Sequence, residues 1–249
     1  MSKFLIFLLP CILFSSCSSN LGRKASVELK VMTFNIRNGR AKDGVNNWNL
    51  RQDFVSDVIR EYSADILGVQ EAYRFQMDHL KKDFPDYEQV GIGRDGGEKG
   101  EYSAILYRKE RFLAIDSGTF WLSDTPKKPS VSWGNRYRRI CTWVRLIEKK
   151  SQRTFYVYNT HLDHQSQPAR EKSARLIIKR IQERECDGPF ILTGDFNAGE
   201  DNSVVKFLKG EGQAADSNPL TLIDSFRVVH PDKKVVGTGN GGFKGNRDG

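Results

Sequence analysis

Histidine and cysteine are scarce in this chain, with 4 of each among 249 residues. His161, Asp163 and His164 are the one place where zinc ligands crowd together, and no other Cys or His cluster supplies the rest of a tetrahedral set, so zinc is disfavoured. Long apolar runs are also rare. Outside the N-terminus no stretch is apolar enough to cross a bilayer. No internal repeat or low-complexity tract argues for more than one domain. The glycine-rich GIGRDGG at 91–97 is not a phosphate-cradling loop, because a strand and not a helix reads after it. Within 91–100 the glycine and charge predict a mobile loop near a site mouth. Acids, finally, are missing between Asp124 and Glu148. Lys127, Lys128, Arg136, Arg138, Arg139 and Arg145 are interleaved there with Trp133, Tyr137 and Trp143, a combination suited to a phosphorylated ligand with a stackable group. A solvated loop followed by an alternating strand explains the same pattern about as well.

What is present begins with Lys3 and an apolar run over 4–14, too short to span a membrane and the right length for a signal-peptide core. It ends in Phe14-Ser15-Ser16-Cys17, followed by Ser18, Ser19 and Asn20. This predicts a lipoprotein-type signal over 1–16, acylation of Cys17, a tether over 17–26 and a domain over 27–249. The expected location is the bacterial cell envelope, lipid-anchored; ordinary cleavage to a periplasmic or secreted product is the alternative. Removing residues 1–16 removes only Lys3 and takes the net charge from +8 to +7. That balance permits anionic substrates. Cys141 reads as strand interior and Cys186 as a helix end, leaving a disulfide and two free thiols equally open.

Strand patterns read at 28–35, 65–70, 87–92, 102–108, 112–121, 139–147, 154–161 and 189–195, and helical spacing at 50–61, 73–83 and 168–185. Many strands with few helices fit two packed sheets with helices outside. Four strands release polar side chains where they end: VMTFNIR carries Asn35, ADILGVQE Glu71, FYVYNTHLDH His161, and ILTGDFN Asp195 and Asn197. Each residue alone has an ordinary explanation, such as an Asx-turn for Asn35 or a helix-start acid for Glu71. Together they form a hard-oxygen set suited to Mg²⁺ or Mn²⁺ and to phosphoryl chemistry.

In their order and wording these segments resemble the endonuclease/exonuclease/phosphatase superfamily, which includes deoxyribonuclease I, exonuclease III, deadenylases and neutral sphingomyelinases. GTFWLSDTP (118–126), RICTW (139–143) and HLDHQSQPAR (161–170) resemble a bacterial secreted branch. The resemblance implies an α/β four-layer sandwich of two mixed β-sheets flanked by helices. It also implies a metal-dependent phosphoesterase acting on a phosphodiester or phosphomonoester of a nucleic acid, nucleotide or phospholipid headgroup. By the same resemblance Asn35 and Glu71 hold the metal, His161 and Asn197 bond the phosphate, and Asp195 orients or deprotonates the water. Arg139, with Asp163 and His164, is the expected substrate contact. Arg37 stands where nuclease branches often carry an acid, which favours one metal. A monomer is expected.

After GFKGNRDG the superfamily normally continues through an Ile-Asp-Tyr-type strand and a Ser-Asp-His motif. The chain is therefore expected to lack the last strands of the fold, as a fragment, a frameshifted product or a degenerate protein, and to have little or no hydrolase activity as written; the alternative function is a catalytically silent envelope lipoprotein or gene fragment that keeps the binding face. On the N-terminal pattern, the mature protein should partition into detergent with an acylated Cys17, and Cys17→Ser should release it; an unmodified N-terminus in mass spectrometry would point to simple secretion.

Overall fold

The computed structural model describes residues 26–211, 218, 220–234 and 236–239. Cys17, the signal region, tether residues 17–25 and the final residues 240–249 lie outside them. Among the described residues eight strands form two mixed four-stranded sheets. In the first, β1 (Val31–Asn35) runs parallel to β2 (Ile66–Ala72), which pairs antiparallel with β4 (Tyr102–Arg108), and β4 in turn with β3 (Tyr87–Val90). In the second, β5 (Phe112–Trp121), β6 (Ile140–Glu148) and β7 (Arg153–His161) form an antiparallel meander, and β8 (Phe190–Asp195) lies parallel to β7. The expected strands are all there, with ends shifted by a few residues.

Side-chain alternation builds the layers. On β2, Leu67, Val69 and Ala72 face outward and pack with α1 (Trp48–Tyr62) and α2 (Arg74–Asp83), where Trp48, Val55, Ile59, Met77 and Leu80 supply the buried stripe. On β7, Tyr156 and Tyr158 face outward against α3 (Gln167–Gln182) and α4 (Ser203–Leu208) through Ala174, Ile177, Ile178, Ile181, Val204 and Phe207. Ser166 caps α3 by accepting from the Ala169 N–H at 3.2 Å, with Pro168 in the first turn. Between the sheets lie Ile66, Ile105, Val144, Leu146, Phe155 and Val157. The result is a helix–sheet–sheet–helix sandwich.

Along the strands the intersheet space changes character. Beyond the apolar end it turns polar at Asn159, which is fully buried. Its Nδ2 donates across the gap to the carbonyls of Val69 (3.0 Å) and Ala104 (2.8 Å), and its Oδ1 accepts from Gln70 Nε2 (2.7 Å) and Thr193 Oγ1 (3.1 Å). Gly68 faces this amide; a Cβ there would sit 2.5 Å from Thr193 Oγ1 and 2.8 Å from Asn159 Oδ1, so the close approach requires glycine.

Three sequence expectations need adjustment. α4 and the short α5 (Ser225–Val229) carry no long periodic signal and begin at the side-chain caps Asn202 and Asp224. α3 ends at Gln182, so Cys186 follows the helix in a loop; it and Cys141 are both free thiols. The 91–100 segment, expected to be mobile, is tied down by a Gly93–Tyr102 bridge and by the Gly93 N–H to Gly97 carbonyl bond (2.7 Å). Asn159→Ala should lower stability by about 3 kcal/mol, because two carbonyls and the Gln70 amide lose their buried partner. A urea midpoint within error of the parent would refute that role.

Candidate active site

Two residues beyond the polar layer, roughly 6–7 Å along the strands, the same strands end in the candidate site. Thr33 is followed by Asn35 on β1, Asn159 by His161 on β7, and Thr193 by Asp195 on β8. Glu71 reaches the same place by another route. A β-bulge interrupts the β2–β4 register between Gln70 and Ala72, and Glu71 takes a left-handed φ of 64° within it. The bulge re-aims the carboxylate out of the strand alternation.

The Asn35 amide joins the two carboxylates. Its Nδ2 donates to Glu71 Oε1 at 2.9 Å and to Asp195 Oδ2 at 2.8 Å, while its Oδ1 accepts from the Arg37 N–H at 2.9 Å, which settles the amide's orientation. Glu71 Oε2 accepts from the Asn38 N–H (2.8 Å), and Asp195 Oδ1 from the Asn197 N–H (2.9 Å). His161 Nε2 lies 3.7 Å from Asp195 Oδ2. Burial, reinforced by the positive charge of Arg139, pushes the His161 imidazole down to about 4 against the pull of Asp195 and Glu71, so the ring is neutral at pH 7.

Around this cluster runs a charged rim. Arg139 is 4% exposed; its Nη2 meets His164 Nδ1 at 3.0 Å and its Nε, which has no hydrogen-bond partner, faces Asp163 Oδ2 at 3.6 Å. Burial, then the neighbouring Arg94, lowers the Arg139 pKa, although it remains a cation. Arg94 pairs with Glu101 at 2.6 Å and lies 5.0 Å from the Tyr137 ring, which stacks on His164 at 6.4 Å. Glu101 also accepts from Asn38 Nδ2 (3.1 Å), and burial raises its carboxyl pKa despite Arg94.

The match to the Endonuclease/Exonuclease/phosphatase family runs over residues 32–248. The chain belongs to this family. A family member of known structure from Bacteroides vulgatus is 36% identical, with a TM-score of 0.72 over 74% of this chain and 71% of its own. A mannosyl-6-phosphatase from Bacteroides thetaiotaomicron is also 36% identical, with a TM-score of 0.70 over 72% of this chain and 69% of its own. Among curated sequences, an uncharacterised protein of Acanthamoeba polyphaga mimivirus is 28% identical over 80% of this chain and 78% of its own.

Membership in a family of phosphoesterase hydrolases gives the cluster its chemical setting. The structure brings Asn35, Glu71, His161 and Asp195 together, with Arg139 and His164 beside them. Asn197 comes off β8 in a left-handed conformation (φ 47°), not on the strand face that residue spacing implies, and its Nδ2 donates to the Leu162 carbonyl at 3.0 Å. Asp163 is fully buried behind the site, where its Oδ1 accepts the Gln165 and Ser166 N–H groups. Its reach toward substrate is through Arg139. Arg37 turns away to Asp43, at 2.8 Å. Asn38, Arg94 and Glu101 were not singled out in the sequence; the charges flanking the glycines of 91–100 were the available signal. Among the described residues no three His, Cys, Asp or Glu form a ready cation cage.

A pH prediction follows from His161. Its folded pKa lies below the ordinary value of about 6.5, so between pH 6.5 and 4 the unfolded chain binds the proton that the folded protein refuses. The chelator-treated protein should lose stability as pH falls through that window, and His161→Gln should flatten the slope. Parallel stability–pH curves for the two proteins would refute it.

Proposed function

We propose that this chain is a divalent-metal-dependent phosphoesterase that removes phosphate from a phosphorylated sugar. The observation that carries the reading is the Asn35 amide held between Glu71 and Asp195, two carboxylates fixed side by side next to a neutral imidazole and a buried guanidinium. The likeness to the mannosyl-6-phosphatase favours a sugar phosphate over the nucleic-acid and phospholipid esters that the same cluster could serve.

The residues fit a hard cation. Glu71 offers a carboxylate locked by its bulge, Asn35 would have to turn its amide over to present the oxygen that now accepts from the Arg37 N–H, and Mg²⁺ typically keeps several waters and takes phosphate oxygens to complete its shell. A bound Mg²⁺ or Mn²⁺ would neutralise phosphate charge as it develops. Asp195 then orients a water and takes its proton, with Asn35 and the Asn197 N–H keeping the carboxylate from rotating. Arg139 supplies a fixed positive charge, and His161 a neutral ring, beside the phosphoryl oxygens. Attack on phosphorus breaks the P–O bond to the sugar and leaves inorganic phosphate and a free hydroxyl. The N-terminal pattern around Cys17 supports placing this enzyme at the envelope by a lipid anchor.

Two substitutions test the roles. Glu71→Ala should abolish Mg²⁺-dependent hydrolysis of mannose 6-phosphate; undiminished turnover would sink the assignment. Asp195→Asn should cut turnover by about 10²- to 10⁴-fold while the thermal shift produced by Mg²⁺ persists. Equal losses of turnover and metal affinity would make Asp195 a ligand instead.

A further inference from the structure

On the outer face of the second sheet, a cleft of about 440 Å³ opens between α3 and the loop after β5. A neighbouring cleft of about 430 Å³ shares Pro126, Arg180 and Glu183 with it, so the two form one groove. Its walls are aromatic and carry six cations against four acids, Asp116, Asp124, Glu183 and Glu185. Lys172, Lys179 and Arg180 line it from α3, and Trp133 from the loop, with the Lys172 ammonium 6.0 Å from the indole. Glu183 is shared between Lys179 (3.7 Å) and Arg180 (3.8 Å), so one carboxylate faces two of these cations. Asp124, the other acid of the first cleft, is engaged by the Trp133 Nε1–H at 2.8 Å, which fixes the indole.

Trp133 is also held in a left-handed conformation, φ 62°, unusual for a bulky residue and found where the surroundings impose a geometry for use. Its carbonyl accepts from Ser166 Oγ at 3.1 Å. Ser166 follows His164 by two residues, and His164 touches Arg139 and stacks on Tyr137 at the catalytic rim. Residues 164–166 thus link the Trp133 wall of the groove to the rim of the candidate site, with which the groove shares no lining residue.

We propose that this groove binds the remainder of the substrate: an anionic oligosaccharide whose terminal phosphorylated sugar sits at the Asn35–Glu71–His161–Asp195 cluster. The inference rests on the phosphoesterase reading for the position of that terminal sugar. Charge complementarity selects the occupant. A neutral glycan would use the indole but leave Lys172 and part of the Lys179 and Arg180 charge unmatched, since Glu183 alone faces the latter two, whereas a glycan with further phosphates meets both the ring face and the cations.

The test uses the full chain and two probes, mannose 6-phosphate and a mannose oligosaccharide bearing several phosphates, with affinities measured by calorimetry at two salt concentrations. The parent should bind the oligosaccharide at least tenfold more tightly, an advantage of about 1.4 kcal/mol, and lose part of it at high salt. Lys172→Glu with Lys179→Glu, and separately Trp133→Asn, which suits the left-handed backbone, should erase most of that advantage and leave mannose 6-phosphate affinity within twofold. Equal affinities in the parent, no binding of either probe, an advantage that survives both variants, or a parallel loss for both probes overturns the proposal. Thermal melts confirm that the variants are folded. A parent that shows the binding difference yet hydrolyses neither probe would remove the phosphoesterase reading and leave the groove standing.

Discussion

The buried amide of Asn159 is the constraint on which the site depends. Two sheets that meet only through apolar side chains can slide, since hydrophobic contact is non-directional. Here four hydrogen bonds from one side chain register β7 against β2, β4 and β8, and each bond is made where water cannot replace it. Gly68 allows the approach, and Gln70 extends the network to Thr33 on β1 at 3.1 Å. Because side chains repeat every two residues, fixing this layer fixes the next one. Asn35, His161 and Asp195 inherit their separations from Thr33, Asn159 and Thr193.

The site itself is arranged against stability. Two carboxylates share one amide, an imidazole is buried neutral beside a guanidinium, and three residues around it, Arg37, Glu71 and Asn197, adopt left-handed backbone. Such features cost free energy and persist when the surrounding structure over-determines them. The over-determination is visible: Arg37 is held by Asp43, Glu71 by its bulge and the Asn38 N–H, Asn197 by the Leu162 carbonyl and the Asp195 carboxylate. The left-handed turn at Asn197 also lets Phe196 pack back against the outer core.

The acid-free stretch after Asp124 serves two surfaces. Arg138 and Arg139, with Tyr137, border the candidate site, while Trp133 and Lys127 border the groove on the far side of the same loop. Arg139 differs from the others in being buried, with Asp163 behind it and His164 beside it, so its charge is aimed and the rest are solvated. A buried guanidinium held by a carboxylate and an imidazole keeps its charge in one place; exposed cations mainly raise the local concentration of anions.

Sequence alone determined the eight strands, the three long helices and the identity of the residues that meet at the strand ends, because period-two alternation and helical stripes are local properties and the terminal motifs are contiguous. It left the edges of these elements open by a few residues and missed α4 and α5, whose short apolar runs carry no period. Tertiary structure alone decided the arrangement. The bulge that turns Glu71 inward, the left-handed turn that takes Asn197 off the strand face, the burial that puts Asp163 behind Arg139, and the recruitment of Asn38, Arg94 and Glu101 all depend on contacts between residues far apart in the chain. Those contacts exist only once the two sheets are stacked in the register that Asn159 imposes.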